Sequence, residues 1–274
     1  MTRPDTATKA QPELVALFVS DVHLQEQAPA TTAAFLHFLT QHASHAQQLY
    51  VLGDLFEYWA GDDDSDAPLN RQVIEALRAV SDGGTALFWM AGNRDFLVAD
   101  GFFTATGATP LADGIVVDIA GKKMVLAHGD AQCTDDTAYI AFRNEVRQAS
   151  WQRQFLGMPL TQRKAIIAGM RSKSREAQSM KSEEIMDVHP DAIDALFAAS
   201  DTALMIHGHT HRPATHVVSG ARGTNVRYVL PDWDCDGTPK RGGWLAVNAA
   251  GDILRFDFNG DLVAPDQQDS DRPA

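Results

Sequence analysis

Cysteine, positive charge and long apolar runs are all scarce in this 274-residue chain. Its two cysteines, Cys133 and Cys235, stand far apart without Cys-x-x-Cys spacing, which argues against both a disulfide framework and a cysteine-based zinc module. They read as reduced thiols of a cytoplasmic protein. Lys and Arg number 23 against 36 Asp and Glu, a formal net charge of -13. Such a balance argues against a general duplex-DNA binder, whose footprint would be a basic face that releases counterions. No apolar segment approaches the roughly 20 residues needed to span a bilayer, so any membrane contact is expected to be peripheral. No basic segment leads into a long apolar one near the start, and the first apolar run, Leu14 to Val19, runs straight into Asp21-Val-His23. A cleaved leader is therefore not expected.

With 45% hydrophobic residues the chain can bury a large core, and one globular domain over 1–274 is expected, with loose ends at 1–12 and 264–274. Short, nearly continuous apolar runs at 14–19, 48–52, 85–90, 123–127 and 202–206 predict strands covered on both faces. Helical spacing at about 31–44 and 69–80 separates several of them, a βαβ pattern of the α/β class. After His211 the runs at 216–218, 226–230, 243–248 and 253–258 alternate with turns and read as antiparallel β, expected to form a second sheet packed on the first. The stretch from about 134 to 200 is predicted to be a helical insertion over the rim, broken at Gly157-Met-Pro159. Within it, residues 143–181 hold nine Lys and Arg against Glu145 and Glu176, a local charge of about +7. Cations set among Trp151, Phe155, Met158, Ile166, Ile167 and Met170 would suit an anionic amphiphile with acyl chains or an anionic membrane surface. A helical pair with solvated charges is the plainer alternative.

What the chain does have is seven potential metal ligands in five blocks, each at the end of an apolar run. Open α/β sheets place their active sites at such strand ends. Asp21 and His23, two apart on an extended segment, point the same way. Asp54 after Gly53 offers a carboxylate shaped to bridge two cations, and the amide oxygen of Asn93 is acceptable to hard ions. His128, His207 and His209 add imidazoles, with His211 a candidate to orient one of them through its second nitrogen. His37, His42, His45, His189 and His216 lie outside every block and read as solvated bystanders. Singly each block is weak evidence. In order, at successive strand ends, they predict a dinuclear centre for phosphoryl transfer to water.

The chain resembles the calcineurin-like metallophosphoesterases over roughly residues 14–245. Asp21-Val-His-Leu24, Gly53-Asp-Leu-Phe-Glu57, Gly92-Asn-Arg-Asp95, His128-Gly-Asp130 with Thr134-Asp-Asp136, and Ile185-Met-Asp-Val188 look like the branch that cleaves UDP-2,3-diacylglucosamine in lipid A synthesis. The resemblance implies a four-layer αββα sandwich of two mixed sheets with a helical cap. It implies one ion on Asp21, His23 and His209, another on Asn93, His128 and His207, and Asp54 between them. Two manganese ions are implied, although imidazole and carboxylate alone would also admit iron or zinc.

Catalytic roles are implied for Asp54, Arg94, His207 and His209, and substrate contacts for Asn93, Arg94, Asp136, Tyr139, Ser174, Lys181 and His207. Gln178 departs from the Asn more common there, and Pro231 from Gly. Many superfamily members carry His where this chain has Arg94, which cannot donate a proton near neutral pH. A phosphate leaving group needs none, so Arg94 suits cleavage of a diphosphate, its guanidinium binding phosphate oxygens; a structural ion pair with Asp95 is the alternative. The implied reaction is attack of a metal-activated hydroxide on the α phosphorus, giving UMP and 2,3-diacylglucosamine 1-phosphate. The implied setting is the cytoplasmic face of the inner membrane, with no nucleic acid and no obligate protein partner. A phosphoesterase of dinucleoside polyphosphates or cyclic nucleotides, and a non-catalytic scaffold on the same fold, are the competing readings.

Overall fold

The computed structural model describes residues 13–178, 187–220 and 223–264, with the backbone alone at 173–178 and 220. The first half follows the apolar runs: β1 (Leu14–Val19), α1 (Pro29–Gln41), β2 (Gln48–Leu52), α2 (Pro68–Asp82) and β3 (Ala86–Met90). Next come α3 (Asp100–Thr106), β4 (Thr109–Leu111) and β5 (Ile115–Ile119), which the apolar pattern does not announce, and then β6 (Lys122–Leu126). Four helices follow, α4 (Thr137–Val146), α5 (Ala149–Leu156), α6 (Leu160–Gln178) and α7 (Pro190–Ser200). The described chain ends with β7 (Leu204–His207), β8 (Thr215–Gly220), β9 (Gly223–Val229), β10 (Gly243–Asn248) and β11 (Ile253–Asp257).

The strands form two mixed sheets, in the orders β11-β10-β1-β2-β3-β4 and β5-β6-β7-β9-β8. β1 to β4 run parallel, and β10 joins them antiparallel to β1. In the second sheet β6, β7 and β9 are parallel, with antiparallel β5 and β8 at the edges. This corrects the sequence-based division. The strands after His211 do not form a sheet of their own: β8 and β9 pair with β7, whereas β10 and β11 return to the first sheet.

Strand alternation explains the layers. Leu17 and Val19 of β1, Leu49 and Val51 of β2, and Leu87 and Trp89 of β3 pack with Phe35, Phe38, Val73, Leu77 and Phe102 of α1 to α3. Their alternates, Ala16, Phe18, Tyr50, Leu52 and Met90, meet Met124, Leu126 and Ile206 of the other sheet. Beyond that sheet, Val125 and Met205 pack with Ile193 and Phe197 of α7. The result is an αββα sandwich in which α7 supplies the fourth layer. Each large apolar side chain so buried contributes on the order of 1.5–3 kcal/mol.

Candidate metal centre

The loops leaving β1, β2, β3, β6 and β7 converge on one rim, and glycine lets them approach one another. A Cβ on Gly92 would collide with the Asp54 carboxylate, and one on Gly208 with Asp21 and Ser20. Among the described residues seven non-glycine positions have a left-handed φ, and five are Asp21 (52°), His23 (50°), Asp54 (54°), His209 (69°) and His211 (56°). Such conformations cost about 1–3 kcal/mol each and gather where geometry serves function. The loops are also zipped together, His23 N–H donating to the Asp54 carbonyl (3.0 Å) and Leu24 N–H to that of Leu55 (2.8 Å).

The donors form two adjoining groups. In one, His23 Nε2 lies 3.1 Å from His211 Nε2, 4.0 Å from Asp21 Oδ1 and 3.9 Å from Asp54 Oδ2, and His211 Nε2 is 3.5 Å from Asp21 Oδ1. In the other, Asn93 Oδ1 is 2.9 Å from both His128 Nε2 and His209 Nδ1, while His128 Nε2 is 3.7 Å from Asp54 Oδ1. Asp54 faces both groups. His128 Nδ1 donates to the Leu52 carbonyl (2.9 Å), which turns its Nε2 inward. His23 Nδ1 lies beside a carboxylate, 3.0 Å from Glu57 Oε2.

The donor set fits a pair of divalent cations. Asp21 is fully buried, and its Oδ1 has no hydrogen-bond partner. Burial would raise the Asp21 pKa, yet His211, His128 and His23 hold it well below the usual carboxylate range. Burial would likewise lower that of His128, but Asp54, Asp21 and Asp130 push it up to about 9, so the carboxylates call for positive charge at the centre. His209 goes the other way, down to about 4, through burial and the neighbouring His128.

The structure places three histidines differently from the sequence-based expectation. His207 ends β7 with its Nδ1 donating to the Gly208 carbonyl (2.8 Å), and its Nε2 accepts from Arg227 Nη1 on β9 (2.9 Å). Burial and this guanidinium lower its pKa to about 3. A nitrogen facing a fixed cation is a poor metal ligand, and His207 lies outside both groups. His209 occupies the place expected for His207, beside Asn93 and His128. His211 occupies the place expected for His209, beside Asp21 and His23, and so is not the orienting partner the sequence suggested. The turn through Gly208 and two left-handed residues shifts the register.

Asp95 does not hold Arg94. Its carboxylate accepts the backbone N–H groups of Gly92 (2.9 Å), Leu55 (2.8 Å), Asp54 (3.3 Å) and Phe56 (3.4 Å), tying the loops after β2 and β3 together. Arg94 instead lines the cavity over the metal groups with a buried Nε that has no hydrogen-bond partner. Asp136 caps α4 by accepting the Tyr139 N–H (3.1 Å) and also lines this cavity. Tyr139 commits its hydroxyl to Asp130 (2.6 Å) and offers the cavity its ring, stacked near His209. The side chain of Ser174 and all of Lys181, Ile185 and Met186 lie outside the described residues, and the side chain of Gln178 does too. Among the histidines taken for solvated bystanders, His42 packs on Phe38 and Trp244, and His189 caps α7.

The cavity has a volume of about 690 Å³ and two unlike ends. His23, Asp54, Asn93, His209 and His211 form one, and Trp59, Phe96, Trp151, Phe155, Ile167 and Met170 line the other under α5 and α6. Trp151 and Phe155 stack with centroids 4.8 Å apart. Cap helices α4 and α6 are pinned to the core by their cations. Arg143 binds Asp130 and Asp113, Arg163 binds Asp63, Lys164 binds Asp64 and Arg171 binds Glu57. Much of the local positive excess is therefore spent internally. Sequence reading missed Glu57, Asp130, Asp95 and Arg227; the first three do stand inside the recognised blocks, whereas Arg227 lies on an unremarkable strand.

The family model for calcineurin-like phosphoesterases matches residues 14–213. The UDP-2,3-diacylglucosamine hydrolase of Cellvibrio japonicus (strain Ueda107) is 46% identical over 240 residues, covering 87% of this chain and 97% of its own. That of Yersinia enterocolitica is 47% identical over 222 residues, 81% of this chain and 92% of its own. That of Aromatoleum aromaticum is 47% identical over 223 residues, 81% and 90% respectively.

Proposed function

The chain belongs to the calcineurin-like phosphoesterase family, and on that premise we propose that it hydrolyses the diphosphate of UDP-2,3-diacylglucosamine, the compound in its relatives' names, to UMP and 2,3-diacylglucosamine 1-phosphate. The observation that carries this reading is the single cavity joining a two-cation donor set to an aromatic and aliphatic chamber. A nucleotide alone would leave that chamber unused, whereas an acyl chain would fill it. Asp21, His23 and His211 would hold one ion, Asn93, His128 and His209 the other, and Asp54 would touch both. Manganese is our choice, and the pair would supply Lewis-acid charge to phosphate oxygens and make hydroxide available near neutral pH.

The chain's own residues do the rest. Asp54, fixed by the Arg94 N–H on its Oδ1 (2.8 Å), keeps the two donor groups at a constant separation. Arg94 presents an unsatisfied guanidinium N–H to the departing phosphate, which leaves as a stable anion and requires no proton. We place the attack at the α phosphorus, the new P–O bond going to UMP and the bridging oxygen leaving with the lipid phosphate. The setting we propose is cytoplasmic, peripheral on the inner membrane. Among the described residues no helix is long and apolar enough to cross a membrane. Phe142 and Met170, 38% and 37% exposed at the cavity's lining, offer the bilayer an apolar lip.

The test is a product assay with UDP-2,3-diacylglucosamine and manganese in ¹⁸O water. Label is expected in UMP, with near-complete loss of turnover for Asp54→Ala and a large but partial loss for Arg94→Ala. Normal hydrolysis by Asp54→Ala would overturn the assignment, and label in the lipid phosphate would move the attack to the β phosphorus. Equal turnover of nucleotides without acyl chains would favour the nucleotide reading, and a two-metal protein inert toward every diphosphate would favour a scaffold.

A further inference from the structure

Glu57 stands between the metal centre and the cap. The loop after β2 places it there, since Glu57 N–H donates to the Leu24 carbonyl (3.1 Å), one residue past His23. Its Oε2 lies 3.0 Å from His23 Nδ1, and its Oε1 pairs with Arg171 Nη2 on α6. Arg171 in turn lies over the ring of Tyr58, 5.7 Å from its centroid. All three members of the chain are shielded, with side-chain exposures of 15% for His23, 14% for Glu57 and 20% for Arg171. In the other ion pairs described for α6, Arg163 with Asp63 and Lys164 with Asp64, the carboxylate is not in turn paired with a residue of either donor group, as Glu57 is with His23.

We infer that Glu57 is a positioning residue for His23 and that Arg171 couples the seating of cap helix α6 to the hold of the His23 ion. The physical basis is general. A carboxylate on the far nitrogen of a ligating imidazole fixes its ring and tautomer and raises its basicity, and removing such a partner costs about 10- to 100-fold in metal affinity. Arg171 limits the rotamers open to Glu57. Withdrawing α6 releases Glu57, and through it the ring of His23. Because coupling between two equilibria is reciprocal, filling the His23 site must also favour the seated cap.

This inference rests on the two-ion reading, so its test separates the two. Protein stripped by a chelator is titrated with Mn2+, bound ions are counted by elemental analysis, and the spin-coupled pair is followed by electron paramagnetic resonance. Wild type takes up two ions. Glu57→Ala weakens one ion by about 10- to 100-fold and turns the coupled spectrum into that of a single ion; Glu57→Gln, nearly isosteric, gives a smaller loss at the same site. Arg171→Ala weakens the same ion and Arg171→Lys restores most of it, whereas Lys164→Ala leaves both ions bound. Hydrogen exchange of α6 around Arg171 slows on adding Mn2+ in wild type but not in Glu57→Ala. Fewer than two ions in wild type would sink the metal reading itself. Two ions in wild type with unchanged affinity in both Glu57 variants, or an equal loss in Lys164→Ala, would overturn the relay.

Discussion

At the residue scale the centre depends on which atom of each side chain is already engaged. His128 spends Nδ1 on the Leu52 carbonyl, His23 sets its Nδ1 3.0 Å from Glu57 Oε2, and both have Nε2 among the donor groups, whereas His207 has both nitrogens engaged. His211→Ala should therefore lose one manganese ion, while His207→Gln should keep two, counted by elemental analysis after gel filtration. Two ions in His211→Ala and one in His207→Gln would restore the assignment the sequence suggested. The other ligand positions were legible because each block follows an apolar strand directly, so strand polarity alone brings Asp21, Asp54, Asn93 and His128 to one rim. The histidine register was not. It depends on left-handed backbone at His209 and His211 and on Arg227, which reaches His207 only through the pairing of β7 with β9.

At the element scale, α5 and α6 wall the chamber, and the stacked Trp151 and Phe155 form its floor. Truncating a buried tryptophan costs about 3–5 kcal/mol when its contacts are all lost. Trp151 is only partly buried, so Trp151→Ala should raise KM for the diacylated substrate about 10- to 100-fold and change kcat less, the pattern of lost uniform binding. A KM unchanged by the substitution, measured against acyl chains of several lengths, would remove the chamber from the binding site. Strands buried on both faces announced themselves as apolar runs. β4 and β5 did not, because β4 has three residues and β5 alternates exposed with half-buried positions at a sheet edge. Sheet membership was equally hidden: whether β10 pairs with β1 or with β9 is decided by partners more than 200 residues apart.

At the scale of the whole molecule, the local charge of about +7 in a protein of net charge -13 suggests an electrostatic anchor, but the pairs with Asp63, Asp64, Asp113, Asp130 and Glu57 neutralise much of it. In the peripheral setting proposed above, the exposed Phe142 and Met170 should then contribute more to membrane binding than the cations do. Replacing both by Glu should lower co-sedimentation with anionic vesicles by about 10-fold, because two charges would have to be desolvated. Raising salt should do less. Binding that salt abolished while the double variant retained it would reverse that ranking.

The hydrogen bond from the His209 N–H to Asp21 Oδ2, 2.8 Å long, closes a loop of 188 residues, and Trp233 N–H reaches the Asp21 carbonyl from further still. A polypeptide emerging from the ribosome has its earliest donors exposed long before the later histidines are translated, and contacts of such sequence separation form slowly. A fragment that stops short of His209 therefore lacks this bond to Asp21 together with the imidazoles of His209 and His211.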